Sequence, residues 1–226
     1  LGMYRLHELL LERYPKLLIE GCSGGGGRFD AGMLYYVPQI WTSDDTDAIE
    51  RLRIQSGTSM LYPCSAMGAH ISDCPNHQTH RTNPFETRGI VALSGTFGYE
   101  LDLNKMTEEE RKLIREQVAA YHKFNHIVAG GDFHRITDPF DPATVVVVWE
   151  HVLNDGSEAL VTMVQPRNIP NGPLHRARLR GLVPEAVYAL EGSDGRFTGE
   201  MLMEAGLNVP RFDRDGGAAL FHLKRI

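Results

Sequence analysis

The chain has 226 residues, 42% hydrophobic and 23% charged, with a net charge of −6. That length buries a core as one large domain or two small ones. The acidic balance excludes a general attraction to nucleic acid or to an anionic membrane surface, and apolar runs such as Thr144–Trp149 are far too short to span a bilayer.

The first residues place Met3, Leu6, Leu10 and Tyr14 on one helical face, predicting a helix over Leu1–Tyr14 that stops before Pro15. No signal peptide is read there, and no capping residue precedes the helix, so the chain is expected to be cut from something longer. Leu17–Gly21 is an apolar run of strand length, of the kind buried on both faces of a parallel sheet. A four-glycine loop follows, and Gln39–Trp41 reads as a second strand opened by Pro38. Asp47 and Glu50 predict a capping box for a helix over Ala48–Ser56 that stops at Gly57, and Ser59–Tyr62 reads as a third strand. This is an α/β rhythm. Barrels of that class build their sites at the carboxyl ends of strands, here expected to carry Cys22, Asp44 and Cys64. Gly89–Leu103 is strand-like. Thr107 and Glu110 form a second capping box for a helix through Ile114, Val118, Tyr121 and Ile127, ended by Gly130-Gly131. From about Pro142 onward, short β-rich segments alternate with Asn-Asp-Gly, Pro-Asn-Gly-Pro and Ser-Asp-Gly turns, predicting a compact antiparallel sandwich.

Two neighbouring stretches carry chemistry. In Cys22-Ser-Gly-Gly-Gly-Gly-Arg28-Phe-Asp30 the glycines let the backbone approach a ligand closely. No P-loop lysine and no ribose-binding acid follow, which argues against a nucleotide. Trp41-Thr-Ser43-Asp44-Asp45-Thr-Asp47 offers three acids at a helix start. Asp47 suits the cap, but Asp44 and Asp45 exceed what capping requires. Burial against Trp41 and a neighbouring charge would raise the pKa of one of them and make it a general acid, and periodicity does not choose between the two. Cys74, His77 and His80 superficially resemble zinc spacing but match no standard zinc arrangement, so Cys64–His80 reads as a polar loop at the mouth of the site or a subunit contact. Three cysteines are an odd count, expected to be free thiols in a reducing, cytoplasmic compartment.

Cys22 through Tyr36, Gln39 through Arg51, Met67-Gly-Ala-His70 with Pro75-Asn-His-Gln78, Gly95 through Asp102, and Gly131-Asp-Phe133 closely resemble the α-galactosidases of glycoside hydrolase family 36. The resemblance covers nearly all of the chain before the sandwich. It implies the C-terminal part of a (β/α)8 TIM barrel over residues 1–141, then an antiparallel β-sandwich over 142–226. It implies retaining hydrolysis of terminal α-1,6-linked galactose from melibiose, raffinose and stachyose, without a metal or other cofactor, by a family whose members are often tetramers, so a homo-oligomer (tetramer) is expected. The charge balance already argues against nucleic-acid and membrane partners. By position, Asp44 is the implied general acid/base, with Asp45 the second choice, and Cys22 and Gly24 are implied galactose contacts. The family nucleophile, an aspartate in a Lys-Trp-Asp-Met-Asn-Arg segment, is missing here and expected in the remainder of the barrel. Asp73-Cys74 departs from the small apolar residues expected before Pro75-Asn76. Transglycosylation, action on N-acetylgalactosaminides, and a non-catalytic sugar-binding fragment are the competing expectations.

Overall fold

The computed structural model describes residues 2–226. Helix α1 (Gly2–Arg13) leads to strand β1 (Glu20–Gly21), then α2 (Ala31–Tyr36) and β2 (Gln39–Ile40). Strands β1 and β2 run parallel, with Gly21 opposite Ile40. Helix α3 (Ala48–Thr58) and a 3-10 turn at Cys64–Ala66 precede β3 (Gly68–Ser72). Helix α4 (Phe85–Ala92) then leads to β4 (Thr96–Glu100), parallel to β3 with His70 opposite Gly98. A parallel bridge from Ile40 to Met67 joins the two pairs. The result is an arc of parallel strands in chain order, with α3 and α4 as crossovers, as in one side of a (β/α)8 barrel.

Helix α5 (Glu108–Gly130) is the longest element and carries the full reciprocal cap: Thr107 Oγ1 accepts the Glu110 N–H while Glu110 accepts the Thr107 N–H. Gly131 closes α5 through its N–H to the Ile127 carbonyl and also opens β5 (Gly131–Arg135). Next come β6 (Val147–Leu153), β7 (Glu158–Gln165), β8 (Arg176–Ala177), β9 (Val187–Leu190), β10 (Arg196–Thr198), α6 (Gly199–Glu204), β11 (Leu207–Asn208) and β12 (Gly217–Arg225). Six of these strands form one antiparallel sheet in the order β10-β9-β12-β7-β6-β5, and β8 pairs with β11 separately. Alternation sorts the sheet's side chains by face. Val148, Val152, Val161, Met163 and Leu223 pack against Ala177, Leu179, Leu202 and Leu207. On the other face Val147, Trp149 and Val164 meet Ala48 and Leu52 of α3 and Val91 of α4, and Leu160 meets Phe124, Ile127 and Val128 of α5. Ile127 is fully buried there, which contributes roughly 1.5–3 kcal/mol. Trp149 Nε1 donates to Ser94 Oγ at 2.6 Å across this junction. No described helix is long and apolar enough to cross a membrane.

The structure corrects several local expectations. Ser59–Tyr62 is not a strand. Helix α3 runs through Gly57 to Thr58, and turns then leave Met60 and Leu61 exposed ahead of Pro63. The third strand is instead Gly68–Ser72, whose small first residue admits the Trp41 ring, 3.0 Å from where a Cβ would stand. The first part of Gly89–Leu103 is helical, because α4 starts immediately after Pro84, and only Thr96–Glu100 is extended. The antiparallel sheet takes in Gly131–Arg135, ahead of Pro142.

Candidate active site

Parallel pairing of β1 and β2 sets the loops that follow them side by side. The Trp41 N–H donates to the Gly21 carbonyl at 2.8 Å, and the Gly26 N–H donates to the Thr42 carbonyl at 3.3 Å. Gly24 and Gly25 have φ of +60° and +79°, in the left-handed region that favours glycine. At Gly25 space matters too, since a Cβ would stand 2.8 Å from Ser43 Cα; at Gly24 it would meet nothing. The glycine loop therefore lies directly on the acid loop. Cys22, exposed, begins it and lines a cavity of about 380 Å³ with Tyr4, His7, Arg28, Phe29 and Met33. Gly24 and Asp44 lie outside that lining.

The three acids occupy three different environments. Asp47 is buried and caps α3, accepting the Ile49 and Glu50 N–H groups at 2.8 and 3.2 Å. It also accepts from Thr79 Oγ1 at 2.7 Å and from Arg81 at 2.5 Å. Burial works against its charge, but the bonds from Thr79, the two amides and Arg81 prevail and hold its carboxyl below the usual aspartate range. The expected reciprocal box does not form, because the Asp47 N–H goes to Asp45 Oδ1 at 3.0 Å and Glu50 pairs with Arg81 at 3.2 Å. Asp45 is half-buried and further tied by its own N–H to Ser43 Oγ. Asp44 is exposed, with no hydrogen bond to any described residue.

Asp44 is exposed and so is not buried against Trp41 in the way expected. Arg51 lies over the indole at 4.6 Å and the His70 ring at 4.7 Å. Burial holds His70 below the ordinary histidine value. Arg51, overlooked in the sequence, is 2% exposed and donates to Thr42 Oγ1, the Ser43 carbonyl and the Gly68 carbonyl at 2.5, 2.8 and 3.3 Å. Burial depresses its pKa to about 10, while Asp45, Glu100 and Asp44 oppose that shift. The signal for it was positional: Ala48, Arg51, Leu52 and Gln55 share the buried stripe of α3.

Cys64 is not at a strand's carboxyl end. It opens the 3-10 turn before β3, where burial pushes its thiol up to about 12. In the 73–83 loop His77 and His80 are exposed, Cys74 Sγ faces the Asn83 carbonyl at 3.8 Å, and buried Asn76 donates to Thr46 Oγ1 at 3.0 Å. Among the described residues no three His, Cys, Asp or Glu side chains converge as a metal-sized group. The loop is thereby fastened to the acid loop and the start of α3.

Residues 1–131 match the Melibiase family, and residues 146–223 match the glycosyl hydrolase family 36 C-terminal domain. The bifunctional α-galactosidase/sucrose kinase AgaSK of Mediterraneibacter gnavus is 50% identical over 221 residues, which is 98% of this chain and 23% of that protein. The α-galactosidase AgaA of Geobacillus stearothermophilus is 47% identical over 226 residues, 100% of this chain and 31% of that one. Among solved structures, the galactosidase domain of AgaSK matches with a TM-score of 0.97 at 49% identity, and an AgaA variant in complex with raffinose with 0.96 at 46%. Each match covers 100% of this chain and 31% of the other. The chain thus spans only 23% to 31% of these relatives' length. It belongs to the glycoside hydrolase family 36 melibiases, carrying the last part of their catalytic domain and their C-terminal domain.

Proposed function

We propose that these residues form the acid side of a retaining α-galactosidase site, completed by a nucleophile from the remainder of the barrel. The observation that carries this reading is the juxtaposition of the glycine loop and the acid loop at the ends of two parallel strands, with one acid left unpaired toward solvent. The relatives support it by name, and AgaA variants have been solved in complex with raffinose and with stachyose. Asp44 is the acid/base on this reading, since Asp45 is committed to the Asp47 amide. In the first step the nucleophile attacks the anomeric carbon while Asp44 protonates the departing glycosidic oxygen; in the second, Asp44 takes a proton from the water that releases galactose. The two carboxylates would stand about 5–5.5 Å apart. Cys22 and Gly24 contact the galactose, and terminal α-1,6-linked galactose of melibiose, raffinose and stachyose is the substrate. The three free cysteines fit a cytoplasmic setting.

The test is Asp44→Asn in the intact enzyme. Its kcat/KM should collapse on melibiose, whose leaving sugar needs a proton, and hold up on a nitrophenyl α-galactoside, which does not. Azide should accelerate the nitrophenyl substrate and give an azide of retained α configuration if it enters as a nucleophile on the covalent β-galactosyl intermediate. This pattern in Asp45→Asn and not in Asp44→Asn would move the acid by one residue.

A further inference from the structure

We infer that Arg51 is a positioning residue that holds the acid loop and the glycine loop in working register; the inference rests on the assignment of Asp44 as the acid. Its guanidinium is buried, yet among the described residues it has no ion-pair partner, and its Nε has no hydrogen bond. All its polar contacts go to the Thr42 hydroxyl, the Ser43 carbonyl and the Gly68 carbonyl, with Trp41 under its face. Thr42 and Ser43 are the two residues directly before Asp44. Gly68 is the first residue of β3. One rigid planar fork thus ties the stem of the acid loop to α3 and to the next barrel strand.

The same two residues carry the glycine loop, through the Gly26 N–H on the Thr42 carbonyl and the close packing of Gly25 on Ser43. Displacing them would therefore move the acid relative to the sugar as well as relative to α3. A buried cation whose direct hydrogen bonds all go to neutral oxygens is a costly way to make a structural contact, and an apolar side chain would fill the same space at less cost. A planar donor set that joins the Thr42 hydroxyl and Ser43 carbonyl of the acid loop to the Gly68 carbonyl of β3 is what fixed acid geometry requires. The charged and titratable groups around Arg51 are Asp44 and Asp45 on the loop, Glu100 on β4 and His70 on β3.

Arg51→Lys in the intact enzyme keeps the charge but replaces the planar two-nitrogen fork, which serves Thr42 and Gly68 from one nitrogen and Ser43 from the other, with a single ammonium on a flexible stem that cannot reproduce that geometry. A misplaced acid should cost about 10²-fold in kcat/KM on melibiose and far less on the nitrophenyl galactoside, with Asp44→Asn measured alongside. Equal losses on both substrates, or none, while Asp44→Asn keeps its selectivity would overturn the role of Arg51 and leave the acid standing. An unselective Asp44→Asn would remove the acid assignment and this inference with it. Should Arg51→Lys fail to fold, Thr42→Ala deletes one acceptor of the fork, and its kcat/KM should show the same selectivity in milder form; an unselective Thr42→Ala overturns the inference.

Discussion

Asp47 stands three residues from the proposed acid, and its replacement should separate architecture from chemistry. Asp47→Ala removes the cap of α3, worth about 1 kcal/mol. It also removes the acceptor of Thr79 and Arg81; the Arg81 side chain is 39% exposed and can return to water, so this part adds only about 1 kcal/mol. A total near 2 kcal/mol is about a 30-fold rise in local opening. Hydrogen exchange on the intact enzyme should show it in the first turn of α3, where Ile49 and Glu50 lose their acceptor, and in the 76–83 loop. The pH dependence has a definite sign. The folded pKa of Asp47 lies below its ordinary value of 3.8, so its contribution is complete above that value and is lost as pH falls through the depressed one. Wild-type protection of α3 should therefore fade below about pH 4, and Asp47→Asn should lose that slope. Catalysis should slow alike on melibiose and the nitrophenyl substrate. Exchange that changes less than about twofold, or rises uniformly along the chain, would refute the argument that this carboxylate is what closes the helix and its loop.

Alkylation should discriminate among the thiols: exposed Cys22 should react first, galactose should protect it, and activity should fall with its modification, whereas buried Cys64, pushed up to about 12, should stay inert. Trp149→Phe should destabilise the junction by about 2 kcal/mol by stranding Ser94 Oγ, and adding Ser94→Ala should recover part of the lost thermal stability. Glu158 and Glu191 both bond His222 at 2.7 Å, and Glu191 also meets Lys123 of α5. Burial opposes the charge of Glu158 but its bond to His222 prevails, and Lys123 and then His222 lower Glu191. Both folded values being depressed, their stabilisation is present above the ordinary 4.5 and is lost on acidification, so His222→Gln should flatten the acid limb of a stability-against-pH curve.

Features written in local chemistry were legible in the sequence. The Thr107 cap forms both of its reciprocal bonds because nothing tertiary competes for Glu110. The corresponding box at Asp47 was half right: the cap is there, but Asp45 and Arg81, the latter brought in by a distant loop, claim its other partners. Ser59–Tyr62 has strand-like composition but stays a turn, because α3 overruns Gly57 and no described residue covers Met60 and Leu61. Gly89, a residue that weakens a helix, sits inside α4 where the Gln117 side chain fills the space a Cβ would take. No window of sequence contains that contact. At the site, the acid loop and the glycine loop stand out by composition, whereas Arg51 reads as an ordinary solvated helix charge until β3 is packed over it.

Gly131 allows no break between the two halves of the chain. A Cβ there would lie 2.7 Å from both the Ile127 and the Val152 carbonyls, so a single residue is pinned between the end of α5 and the neighbouring strand. Anyone grafting C-terminal domains between family members would meet this joint first. A cut at the change of pattern near Pro142 would sever β5 from β6 and strip Phe124, Ile127 and Val128 of the surface they pack on. The exchangeable unit begins earlier, between Glu100 and Glu108, and carries α5 along with the sheet. Domain exchange at that point would replace one wall of the catalytic barrel together with the domain that braces it.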